Sequence, residues 1–89
     1  MVILYYIIVY DVAEERVNKI NKFLKQYLNW IQNSVFEGEL TESEFIKVKK
    51  ELNGLISKED SVLIFKINNP YSFEKIKLGI EKNPISNLI

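Results

Sequence analysis

Val2-Ile3-Leu4-Tyr5-Tyr6-Ile7-Ile8-Val9-Tyr10-Asp11 is an unbroken run of β-branched, leucine and tyrosine side chains closed by an acid. It is too short for a typical helix and shows no alternation of polarity, which predicts a strand buried on both faces. Tyr5, Ile7 and Val9 alternate with Tyr6, Ile8 and Tyr10, and both sets are apolar. Because successive side chains of a strand point to opposite faces, each set needs its own cover.

Downstream of Asp11 a helix is expected from about Glu14. Val17, Ile20, Phe23, Leu24, Tyr27 and Leu28 recur at the three-four spacing of one buried helical face. Glu14 and Glu15 fall in its first turn, where the helix dipole favours negative charge. Trp30 to Leu40 reads as extended, with Gln32-Asn33-Ser34 interrupting the β-formers, so it is one bent strand or two short ones. Thr41 followed by Glu44 is a capping box, and Leu40 and Phe45 stand where its hydrophobic staple belongs. Phe45, Val48, Leu52, Leu55 and Ile56 mark the buried face of that second helix. Ser61 to Ile67 is a further strand, closed by the turn signal Asn68-Asn69-Pro70. Ile76, Leu78 and Ile80 then alternate with Lys75, Lys77 and Glu81, a half-buried strand pattern.

If the extended segment breaks near Asn33-Ser34, the order becomes β-α-β-β-α-β, the plan of a ferredoxin-like α+β sandwich. The expected architecture is a mainly antiparallel sheet with both helices on one face and an extra C-terminal strand. Residues 1–80 form that domain, and residues 81–89 form an apolar tail with Ile85, Leu88 and Ile89. Two helices cover one face of a sheet, and a chain of 89 residues has nothing left for the other. A second copy of the same chain is the economical cover, so a symmetric homodimer is expected.

Composition removes several chemistries. There is no cysteine and no histidine, hence no thiolate metal site, no disulfide and no imidazole base. No glycine-rich phosphate loop and no Ser/His/Asp arrangement is present. Twelve cations balance twelve anions, so nucleic-acid binding has to come from local asymmetry rather than from net charge. The apolar N-terminal run lacks a basic leader and is too short to span a bilayer, which points to a cytoplasmic protein with no membrane partner.

Asp11 is the first residue to weigh. A carboxylate at the end of a buried strand either caps the following helix or holds a hard cation. One carboxylate is few for a Mg²⁺ site, whereas two copies meeting on a two-fold axis supply two. Arg16, Lys19, Lys22 and Lys25 recur at intervals of three, a basic stripe that either tracks phosphates or is plain solvated surface. Tyr5, Tyr6, Tyr10, Trp30 and Phe36 are aromatics that stack on bases or fill a core.

The pieces Val9-Tyr10-Asp11-Val12, Arg16-Val17-Asn18-Lys19, Asn29-Trp30-Ile31-Gln32-Asn33-Ser34-Val35-Phe36-Glu37-Gly38-Glu39 and Gly79-Ile80-Glu81-Lys82-Asn83-Pro84 together resemble the CRISPR-associated protein 2 family. The resemblance spans nearly the whole chain. It implies a ferredoxin-like homodimer whose C-terminal segment joins the sheet of the partner protomer. It implies that Asp11 is the metal-associated and catalytic aspartate, binding Mg²⁺ or another divalent cation with its symmetry mate. It further implies a scaffold between dimers of CRISPR-associated protein 1 that captures DNA as new spacers, and Mg²⁺-dependent endonuclease activity on single-stranded RNA or double-stranded DNA. Tyr10, Arg16, Lys19 and Lys22 are the nucleic-acid contacts expected on that reading. Leu28 and Trp30 depart from the family pattern, standing where many members have glycine and arginine, and this removes a candidate phosphate contact. A ferredoxin-like assembly or regulatory module with no nucleic-acid role is the alternative.

Overall fold

The computed structural model describes residues 2–80, and the expected tail at 81–89 lies outside the described residues. The elements run β1 (Ile3–Asp11), α1 (Glu14–Leu24), β2 (Asn29–Gln32), β3 (Val35–Thr41), α2 (Glu42–Leu55), β4 (Ser61–Asn69) and β5 (Ser72–Gly79). The strands form one sheet in the order β2-β3-β1-β4-β5, and every neighbouring pair is antiparallel. This is the ferredoxin-like α+β sandwich with an added strand at one edge.

The break in the extended segment falls at Asn33, whose φ of 45° lies in the left-handed region that asparagine tolerates. That single residue turns a possible bent strand into the β2–β3 hairpin and completes the split β-α-β plan. Helix α1 is shorter than its apolar spacing predicts. It ends at Leu24, and i→i+3 bonds from Gln26 N to the Phe23 carbonyl and from Tyr27 N to the Leu24 carbonyl tighten the exit. The tightened turn still delivers Leu28 to the core, so the periodicity survives where the helix does not. Helix α2 starts as expected: Glu44 N–H donates to Thr41 Oγ1 at 3.2 Å, and Thr41 N–H donates to Glu44 Oε1 at 2.9 Å.

Tyr6, Ile8 and Tyr10 of β1 are buried with Phe36 and Leu40 of β3 and Val62 and Ile64 of β4. Against this face lie Ile20 and Leu24 of α1 and Phe45, Val48 and Leu52 of α2. The Tyr6 and Phe45 rings stack with centroids 4.7 Å apart. Both helices therefore serve one face. The register places the other set in rows: Glu39, Tyr5, Ile67 and Phe73; then Glu37, Ile7, Phe65 and Lys75; then Val35, Val9, Leu63 and Lys77. The second face thus has an apolar centre on β1 and β4, acids on the β3 side and lysines on the β5 side.

Strand β5 is longer than the alternation around Ile76 predicts, because it pairs as a hairpin with β4 from Ser72 onward. Its far end approaches the α2–β4 loop: Ile80 N–H donates to the Asp60 carbonyl at 2.9 Å. Gly79 there has a φ of 75°, and a Cβ on it would lie 2.1 Å from that same carbonyl oxygen. Backbone cannot yield as a flexible side chain would, so Gly79→Ala is expected to cost about 2 kcal/mol or more. Chemical denaturation checks this; a loss under about 0.5 kcal/mol contradicts the close approach.

Candidate functional site

Asp11 ends β1 on the open-face side, one residue past the buried Tyr10, and is exposed. It lines a depression of about 280 Å³ together with Tyr10, Val12, Val17, Asn33 and Ser34. The depression forms because β1 runs straight into the loop before α1 while the β2–β3 turn comes alongside. Tyr10 N–H donates to the Ser34 carbonyl at 3.1 Å and fastens that turn to the strand.

The expected contacts do not all stand alike. Tyr10 is 3% exposed, its ring stacks near Phe36, and its hydroxyl donates to Asn21 Oδ1. Burial pushes its phenol above the usual tyrosine range. It is a packing residue that reaches the depression as part of its wall. Arg16 leaves the basic stripe for carboxylates: Nε donates to Asp60 Oδ2 at 2.5 Å, and Nη2 donates to Asp60 Oδ1 at 3.0 Å and to Glu59 Oε1 at 2.6 Å. The hydrogen bonds it donates to Asp60 raise the guanidinium further above its ordinary value, so it stays charged at every accessible pH. Lys19 and Lys22 remain exposed on α1, three residues apart on one side of the helix, without an ion pair among the described residues.

Sequence reasoning missed Asp60. Its side chain is fully buried and accepts from Ala13 N–H at 3.0 Å and Ser57 N–H at 2.8 Å as well as from Arg16. These bonds hold its carboxyl down at about 2, with the Arg16 hydrogen bond the largest cause. Asp60 therefore ties the loop after Asp11 to the loop before β4. An acid beside Lys58 and Glu59 in a connecting segment carries no local sign of burial, so only the fold reveals it.

No group of three or more Asp, Glu, His or Cys side chains converges among the described residues. One chain brings Asp11 to the depression, with Ser34 and Asn33, both able to offer oxygen, in the same lining. This is an all-oxygen donor set, the kind that suits Mg²⁺, which takes one or two carboxylates and fills its remaining positions with water and phosphate oxygens. The residues fit half of such a site.

A family profile described as "CRISPR associated protein Cas2" matches residues 4–75. The chain belongs to the Cas2 family. It is 52% identical over 87 residues to a protein of Pyrococcus furiosus named CRISPR-associated endoribonuclease Cas2, covering 97% of this chain and 100% of that one. It is 51% identical over 86 residues to CRISPR-associated endoribonuclease Cas2 3 of Thermodesulfovibrio yellowstonii, covering 96% and 98%. A crystal structure of a Cas2 protein superposes with a TM-score of 0.74 at 40% identity, covering 94% of this chain and 95% of the other. The Cas2 of Streptococcus pyogenes superposes with a TM-score of 0.66 at 28% identity over 75% and 89%. The fold and the CRISPR association are thus common ground between this chain and its Cas2 relatives. No helix among the described residues is long and apolar enough to cross a membrane.

Proposed function

We propose that two copies of this chain form a cytoplasmic adaptation subunit of CRISPR defence, a scaffold that seats DNA for spacer capture between dimers of CRISPR-associated protein 1. We further propose that the paired Asp11 residues hold a divalent cation and lend the subunit metal-dependent endonuclease chemistry on RNA or DNA. The observation that carries this reading is the position of Asp11, which continues an apolar, charge-edged sheet face at its rim.

A second copy fits that face by charge as well as by greasiness. Aligned sheets pack face to face with their strands roughly parallel. A two-fold axis parallel to β1 lays the Glu37 and Glu39 side of one copy over the Lys75 and Lys77 side of the other. An axis across the strands lays acid on acid. The favoured axis, running between β1 and β4, also keeps both Asp11 residues at the same end. There they sit roughly one strand spacing apart laterally, about 5 Å, across the packed sheets.

A bound Mg²⁺ would supply Lewis-acid neutralisation of a phosphate and a more acidic water. Asp11 anchors and orients that cation, and Asp60 holds the loop behind it through Ala13. Lys19 and Lys22 attract the phosphate backbone along α1. The relatives named as endoribonucleases support the hydrolytic part of the reading. The scaffold part is supported by the sparse donor set, which predicts slow chemistry. In the test, Mg²⁺-dependent cleavage of single-stranded RNA and duplex DNA is compared for the wild type and Asp11→Asn. Cleavage should fall at least about ten-fold while fold and dimer persist. Undiminished cleavage by Asp11→Asn removes the metal assignment. Spacer capture that proceeds without this chain removes the scaffold.

A further inference from the structure

Of the aromatics singled out as able to stack on a base, Tyr6, Tyr10 and Phe36 are buried and Tyr5 lies on the open sheet face between Glu39 and Ile67, whereas Trp30 is 54% exposed on the edge strand. Three features set it up as a platform. The β2–β3 register shifts between Trp30 and Gln32, and such irregularities at a sheet edge re-aim side chains. The indole N–H donates to the Asn33 carbonyl at 2.9 Å, which pins the ring and satisfies its only polar atom. The Lys25 ammonium sits 6.0 Å from the ring centroid, where it braces the ring and adds positive charge beside it. Every residue of β2 is exposed, so nothing else in the described chain covers this edge.

The turn that pins the indole also builds the depression at Asp11, since Asn33 and Ser34 line it. An aromatic plane beside a cation, held by the same turn that lines the Asp11 depression, matches the alternating chemistry of a nucleotide strand: base, then phosphate. We propose that Trp30, braced by Lys25, is a stacking platform for one unpaired nucleobase flanking the phosphate that lies at Asp11. This rests on the nucleic-acid reading above and adds to it a preference for a frayed or single-stranded end.

Trp30 is the single tryptophan of the chain, so its emission reports on the platform directly. The dimeric protein is titrated with a ten-nucleotide single-stranded RNA, with an abasic strand of the same length, and with a blunt duplex, while binding is followed separately by anisotropy. The single strand should quench the emission saturably, and the abasic strand should bind without quenching. Trp30→Ala should weaken single-strand binding about ten-fold, the scale of one lost base–aromatic stack, and Trp30→Phe should recover most of it. Strand binding with unchanged emission, or with unchanged affinity in Trp30→Ala, overturns the platform and leaves the nucleic-acid reading standing. Equal quenching by the abasic strand also overturns it. Absence of any binding overturns both and hands this edge to a protein partner.

Discussion

Asp60→Ala is expected to lower the stability of the fold by about 3–4 kcal/mol, the usual loss when one partner of a buried ion pair is removed. The carboxylate is fully buried and satisfies two backbone N–H groups and a guanidinium at once. Alanine leaves the Ala13 and Ser57 N–H groups without this acceptor and leaves Arg16 with Glu59 as its remaining hydrogen-bond partner. Domains of this size have total stabilities of roughly 5–15 kcal/mol, so the variant should lie close to its unfolding threshold. Asp60→Asn keeps one acceptor oxygen and loses the charge, and should cost about half as much. A double-mutant cycle with Arg16→Ala isolates the pair itself, whose partners lie 44 residues apart in the chain. A loss within about 0.5 kcal/mol for Asp60→Ala contradicts the clamp.

The same group sets an acid limit. Its carboxyl is depressed from the ordinary 3.8 to about 2 in the fold, so on acidification the unfolded chain takes up the proton first. The stabilisation is therefore complete above about pH 4 and is lost progressively as the pH falls toward 2. Arg16 remains protonated throughout and adds no window of its own. Denaturation midpoints between pH 5 and 2 should show this acid-side decline in the wild type and much less of it in Asp60→Asn.

On the proposed dimer, Ile7→Lys is expected to separate the two copies, raising the dissociation constant by more than about a hundred-fold, which is about 2.8 kcal/mol. Ile7 stands in the row Glu37, Ile7, Phe65 and Lys75, beside the axis proposed for the dimer. Two ammonium groups would be carried into that apolar seam, and burying even one unpaired ion costs several kcal/mol. In the separated chain the lysine stem lies along the sheet with its charge in water, so the protomer should keep its fold. Sedimentation velocity reads the first effect and circular dichroism the second. A charge swap tests the direction of the axis: Glu37→Lys or Lys75→Glu alone should weaken the dimer, and the two together should restore it. An Ile7→Lys chain that still dimerises with wild-type affinity places the interface elsewhere. Cleavage that depends on both Asp11 carboxylates should fall in parallel with dimer content.

Much of this protein is legible along the chain because its signals are local. The two-sided apolar pattern of Val2–Tyr10 required cover on both faces of a sheet, and Thr41 with Glu44 marked where α2 begins. The place of Asp11 at the exit of β1 followed from the end of the apolar run, since a strand stops where burial stops. What the chain could not display are partnerships between residues far apart. Arg16 reads as one more member of a basic stripe until folding brings Asp60 to it, because a charge in sequence carries no record of which opposite charge will meet it. Tyr10 and Trp30 are equivalent as aromatics on paper, yet one lies beneath α1 and the other lies outside on an edge strand. Local periodicity and capping chemistry are settled within a few residues and so determined the elements. Burial, ion pairing and the neighbours of the depression depend on which elements meet, and only the tertiary arrangement decided them.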